Sequence, residues 1–186
     1  MRTMDTREAW LLEACEHLRP LLRDAGVECP PVSVSMGFPK GARGRGRSIG
    51  QCWPEQAAAD GRPAVFVSPV LVNAERILDV LLHELVHAAV GTNCGHRGKF
   101  VTVARACGLV GPPTATTAGP ELGRRLNAIA DALGPLPHAA LSVVEQPKQT
   151  TRLRLWQCEC EVKVRVASDQ FDATCNRCGS RFMRTA

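Results

Sequence analysis

"HELVHAAVGTNCGHRGKF", residues 83–100, gathers three of the chain's five histidines into fourteen positions, with Glu84 directly after the first. The run that leads into it, from about Asn73, carries Ile77, Leu78, Val80, Leu81 and Leu82, and continues within it through Leu85 and Val86, with almost no polar face. That pattern predicts a helix from Asn73 to Val90, buried on most sides, with Asn73 as N-cap and Gly91 as stop. Residues four apart stack on one helix face. His83 and His87 therefore face one point in space, and Glu84 projects about 100° away from it. With five histidines and eleven glutamates in the chain, chance supplies an H-E-x-x-H roughly 0.008 times. A buried apolar helix carrying three unpartnered ionisable groups is costly. A shared cation and its water would satisfy all three, as in zinc hydrolases where the glutamate takes a proton from water.

A catalytic zinc takes three protein ligands and keeps one position open. His96 is the expected third ligand: Gly91 ends the helix, "GTNCG" turns the chain back, and Gly95 frees the backbone just before it. Cys94 and a glutamate from another helix compete for that role. The remaining histidines, His17 and His138, are expected to face solvent or cap helices.

Around this centre the chain reads as α+β. Trp10, Leu11, Cys15, Leu18, Leu21 and Leu22 predict an amphipathic helix over 6–24, ended by Gly26. "PVSVSM" (31–36), "RSIGQCW" (47–53) and "PAVFVSP" (63–69) predict three strands. Two more helices are expected near Arg97–Cys107 and Pro120–Leu133, with "GPPTATTAGP" (111–120) as a loop between them. The strand "AVFVS" is expected to offer an edge to an extended substrate.

The nine cysteines divide into two groups. Cys15, Cys29, Cys52, Cys94 and Cys107 are scattered and read as small apolar residues. Cys158, Cys160, Cys175 and Cys178 cluster near the C-terminus as C-x-C and C-x-x-C, the ligand set of a structural zinc on two turns; a redox dithiol is the competing reading. Gly179 lets the second turn curl its N–H groups toward sulfur.

Net charge is +5. Residues 147–186 carry an excess of four positive charges, among them Lys148, Arg152, Arg154 and Arg165. These four are the candidate phosphate contacts of a DNA-binding tail. Trp156, Phe171 and Phe182 either stack on bases or form the core of the small tail. "PKGARGRGR" (39–47) is a second basic stretch. No apolar run approaches the roughly 20 residues that span a bilayer, and the opening residues lack a signal peptide's apolar core. The expectation is a cytoplasmic protein without a membrane partner.

Residues 83–100 resemble the active-site segment of the SprT-like metallopeptidases, the family that includes the Spartan proteases. H-E-x-x-H is followed by a variable loop, then Gly95-His96 and Phe100. The similarity extends through "VFVSPVL" and "KQTTRLRLWQCEC", closest to the phage and actinobacterial branch. The resemblance implies a zincin-like peptidase domain over 1–137, a linker over 138–151 and a zinc ribbon over 152–186. It also implies one catalytic and one structural Zn2+, and protein substrates associated with or crosslinked to DNA. The third histidine lies nine residues after the second, unlike the metzincin spacing of six. The chain has no tyrosine, the usual oxyanion donor, which leaves Arg97 or a backbone N–H for that role. The alternative function is a nucleic-acid-binding or regulatory zinc-ribbon protein whose H-E-x-x-H site is structural or inactive.

Overall fold

Thr6 starts the first helix by accepting the Ala9 N–H on its hydroxyl (3.1 Å). The helix it opens, α1 (Arg7–Asp24), buries Trp10, Leu11, Ala14, Leu18 and Leu22 along one face. Pro20 lies inside α1 without ending it. The computed structural model describes residues 5–39, 48–142 and 153–185. By contact density the chain divides into two units, Met1–Val143 and Val144–Ala186. It is a mixed α+β protein with four α-helices and small sheets among the described residues.

In the first unit, β1 (Ser33–Met36), β2 (Gly50–Trp53) and β3 (Ala64–Val67) form a sheet in the order β1-β3-β2. β1 runs parallel to β3, with Val34 opposite Val65; β2 runs antiparallel, with Cys52 opposite Val65. Alternation puts Val34, Val65 and Val67 into the core. The expected edge at "AVFVS" is corrected here. That strand is β3, paired on both sides, and its backbone groups are committed to the sheet. Among the described residues, the edge beside the histidines is β2.

α2 (Ala74–Val90) packs under β2 and β3 and touches α1, α3 (Lys99–Ala106) and α4 (Pro120–Leu133). Its ends follow the sequence. The Asn73 side chain accepts the Arg76 N–H (2.7 Å), and Gly91 at φ +85° ends the helix. Surrounded in this way, α2 is the core of the unit. The segment expected to be a loop (111–120) instead contains a short strand, β5 (Thr117–Ala118), which pairs with β4 (Leu109–Val110) just before the segment to make a two-stranded ribbon. Downstream of α4, His138 Nε2 lies 2.9 Å from the Pro69 carbonyl and the Leu141 N–H donates to the same oxygen. His17 is exposed.

The second unit is a three-stranded sheet, β6 (Arg154–Gln157), β7 (Lys163–Val166) and β8 (Met183–Arg184), in the order β7-β6-β8. Its small core joins Phe182 to Trp156, Phe171, Val162 and Val164, with Cys158 and Cys175 at one end. No helix among the described residues is long and apolar enough to cross a membrane.

Candidate metal centres

His83 and His87 project one turn apart from α2. After Gly91 the chain makes a 3-10 turn (Thr92–Cys94) and reaches Gly95 at φ +52° and ψ −132°, a conformation glycine adopts readily. That reversal returns His96 to the helix. Its Nε2 lies 3.2 Å from Nε2 of His83 and 3.2 Å from Nε2 of His87. A tetrahedral site with metal–nitrogen bonds of about 2.0–2.1 Å requires N···N separations of about 3.4 Å. The donor set thus fits one small cation.

Burial pushes His83 down to about 4, helped by His96 and Arg76, and His87 down to about 3, helped by His83 and His96. Burial lowers His96 as well. All three rings are accordingly neutral near pH 7. The His83 tautomer with its proton on Nδ1 donates to Thr116 Oγ1 (2.7 Å) and turns an Nε2 lone pair inward. Inward lone pairs this close repel one another unless a cation lies between them. Phe100 of α3, fully buried, backs the cluster; its ring centroid lies 4.2 Å from His87, 4.9 Å from His83 and 5.0 Å from His96. Cys94 turns away, its thiol donating to the Gly91 carbonyl (3.1 Å), and has no place in the cluster.

Glu84 is 6% exposed. Burial pushes its carboxyl up to about 8, opposed by a hydrogen bond from the Cys52 backbone N–H. The close seat of Glu84 against β2 depends on Gly50, where a Cβ would stand 2.4 Å from Glu84 Oε1. Glu84, the three histidines, Gly50, Cys52, Arg76 and Thr116 all line one cavity of about 660 Å³. Arg97 is exposed. The roles of Gly50, Arg76, Asp79 and Thr116 escape the sequence reading; the one signal available was a charged pair, Arg76 and Asp79, at helical spacing in an otherwise apolar run.

The second centre joins Cys158, Cys160, Cys175 and Cys178, whose sulfurs lie within 4.8 Å of one another. Cys158 and Cys160 are 3.3 Å apart, Cys160 and Cys175 3.7 Å. A tetrahedral S4 site with metal–sulfur bonds of about 2.3 Å has edges of about 3.8 Å. Each turn closes on a residue with positive φ just after its second cysteine: Gly179 at +73° and Glu161 at +65°. The Ser180 hydroxyl and backbone N–H lower Cys178 to about 6, and the N–H groups of Arg177 and Cys178 lower Cys175. Cys160 is pushed the other way, first by the neighbouring Cys158 thiol. The C-x-C spacing is no obstacle to bringing Cys158 into the group.

Of the candidate phosphate contacts, Lys148 and Arg152 lie outside the described residues, as do residues 40–47 of the basic loop. Arg154 is ion-paired with Asp169 and donates to the Ala167 carbonyl. Arg154 pairs with Val166 and Leu155 with Arg165, so Arg154 and Arg165 project from opposite faces of the sheet. The structure does not gather them into one patch. Trp156 and Phe171 pack at 5.6 Å between ring centroids, and Phe171 and Phe182 at 5.9 Å. These aromatics build the core of the unit.

The chain therefore carries a three-histidine group and a four-cysteine group, each arranged to hold a metal ion. No known protein family, curated protein or solved structure matches the chain.

Proposed function

We propose that this protein is a zinc-dependent peptidase with a zincin-like catalytic unit, of the SprT-like kind that residues 83–100 resemble. One observation carries the reading: a buried glutamate stands beside three converging imidazoles on the wall of an open cavity. A purely structural ion site has no use for a carboxylate held there, or for an open wall.

His83, His87 and His96 would hold a Zn2+ ion, which would supply the Lewis acidity that activates water and polarises a peptide carbonyl. Glu84, ionised once the positive charge of a bound cation offsets the burial that raises its carboxyl, accepts the proton of the attacking water and hands it to the leaving amine. The Cys52 N–H steadies the charged carboxylate before it takes the proton and again after it has given it up. Ser68 N–H donates to the Ile49 carbonyl (2.9 Å), which sets the β2 register. With Ile49 and Gln51 bonded inward, Gly50 and Cys52 direct their backbone groups to the outer edge. There the Gly50 carbonyl accepts from the Ser48 hydroxyl and the Cys52 N–H serves Glu84, which leaves the Gly50 N–H and the Cys52 carbonyl without a partner among the described residues. That edge borders the cavity and suits an extended peptide. Cys158, Cys160, Cys175 and Cys178 hold a structural Zn2+. Proteins carried on DNA as the substrate class rest on the resemblance and on the tail's positive excess.

The test compares the full chain with its Glu84→Gln variant on an unfolded protein substrate, with and without DNA, alongside elemental analysis. The expected outcome is two zinc ions in both proteins, with cleavage reduced about 10²–10⁴-fold in the variant. Equal cleavage by the two proteins would refute the assignment.

A further inference from the structure

Among the described residues, His83 alone of the three imidazoles hydrogen-bonds through its second nitrogen: Nδ1 lies 2.7 Å from Thr116 Oγ1. Thr116 is buried and stands immediately before β5. Its carbonyl accepts from Arg76 Nη1 (3.4 Å). Arg76 is itself ion-paired with Asp79, and the Asp79 carboxylate also receives the backbone N–H of Ala118. Arg76, Asp79 and His83 share one face of α2, at spacings of three and four. Three side chains of one helix thus hold two residues of one short segment, Thr116 and Ala118.

The grip is expensive in local terms. Asp79 is 4% exposed, and its Oδ1 makes no hydrogen bond. A carboxylate so placed destabilises the core unless its partners compensate. Fixing the backbone at 116–118 gives it a purpose, because a strand of two residues has little ladder of its own to hold it. We propose that Thr116 is a positioning residue of the three-histidine centre, held in place by the Arg76–Asp79 pair. Accepting the Nδ1 proton of His83, its hydroxyl orients the ring so that Nε2 is directed into the site. The inference rests on reading that centre as a metal site. A neutral hydroxyl orients the ring without adding charge to the centre, and outer partners of this kind are typically worth 10–100-fold in metal affinity.

Two variants of the full chain test it. Thr116→Val keeps the shape and removes the hydroxyl; Thr116→Ser keeps the hydroxyl. Zn2+ affinity is read by competition with a chromophoric chelator. Co2+ spectra separate the nitrogen centre from the four-cysteine centre, which serves as internal reference. The tautomer of His83 is read in metal-free protein by long-range 1H–15N correlation. Thr116→Val is expected to lose 10–100-fold in Zn2+ affinity at the histidine centre and to mix its His83 tautomers. Thr116→Ser and the cysteine centre are expected to match the parent. Parent-like affinity and a single parent-like tautomer in Thr116→Val would overturn the positioning role while leaving the peptidase reading intact. A parent chain that binds no ion at the histidines, with its cysteine centre loaded, would overturn both.

Discussion

Gly50→Ala places a methyl group where β2 rests on α2. The new carbon would stand 2.4 Å from Glu84 Oε1, 2.6 Å from Val80 Cγ1 and 3.0 Å from Glu84 Cδ. Carbon contacts settle near about 3.5 Å or more, so strand or helix must give way by about 1 Å. Neither neighbour yields easily. Val80 is β-branched and buried, and Glu84 is held by the Cys52 N–H. Overpacking of this kind costs about 1–3 kcal/mol, and reduced unfolded-state entropy returns about 0.4–1 kcal/mol. The net expectation is a loss of about 1–2 kcal/mol, read as a lower urea midpoint at unchanged slope. Under the proposed function, displacing Glu84 by this amount also lowers cleavage by about 10²-fold with both metals retained. A double-mutant cycle isolates the contact. In a Glu84→Ala background the clash with the carboxylate is gone, and Gly50→Ala should cost distinctly less. Stability costs that add to within about 0.5 kcal/mol would refute the argument, because residues in contact couple by more than that.

Glu161 sits at φ +65°, where a non-glycine residue is strained by about 1–2 kcal/mol. Glu161→Gly should therefore stabilise the cysteine unit by about 1 kcal/mol, seen as slower metal release to a chelator; equal or faster release would argue against strain at that turn. The second expectation concerns alkaline pH. Burial pushes the Cys15 thiol up to about 12 and those of Cys29 and Cys107 up to about 11, against an ordinary value of 9.0. Below pH 9 these thiols are protonated in folded and unfolded chains alike; above it the unfolded chain releases protons the folded one retains. Stability should fall from about pH 9 through pH 11–12, with a shallower fall in Cys107→Ala. Urea midpoints across that window provide the check.

What the sequence disclosed is what local spacing can encode. Asn73 and Gly91 bound α2, and His83 and His87 fall on one face of it, because capping and helical periodicity act within a few residues. Pro120 and Leu133 bound α4 for the same reason. The cysteine group is legible because thiolates are rare and their turns short. The rest depends on contacts between distant segments. Whether "AVFV" is central or at an edge depends on β1 pairing with it in parallel across some thirty residues. Nothing in the strand itself reports that pairing. The ribbon of β4 and β5 is two residues long on each side, too short for an alternating pattern, and the Gly111-Pro112-Pro113 stretch between its strands reads as loop. Thr116 was invisible with it, and Gly50 meets Glu84 only once the sheet has formed.

Asp79 marks where the same reasoning, carried one step further, would have reached the missing part of the site. Three ionisable groups in an apolar helix led to the inference of a shared cation, since buried polar groups need partners. Asp79 lies on that helix four residues before His83, is buried like Glu84 and His87, and raises the same question. Its answer is not a metal but Arg76 and the Ala118 N–H, and through them the segment that carries Thr116. Histidine and cysteine announce themselves because few other residues can ligate zinc. A positioning hydroxyl can be supplied by many residues from many places, so its identity is written only in the fold. The trace it leaves in sequence is indirect: a carboxylate in an apolar run, at helical spacing from a ligand, that the ligand itself does not need.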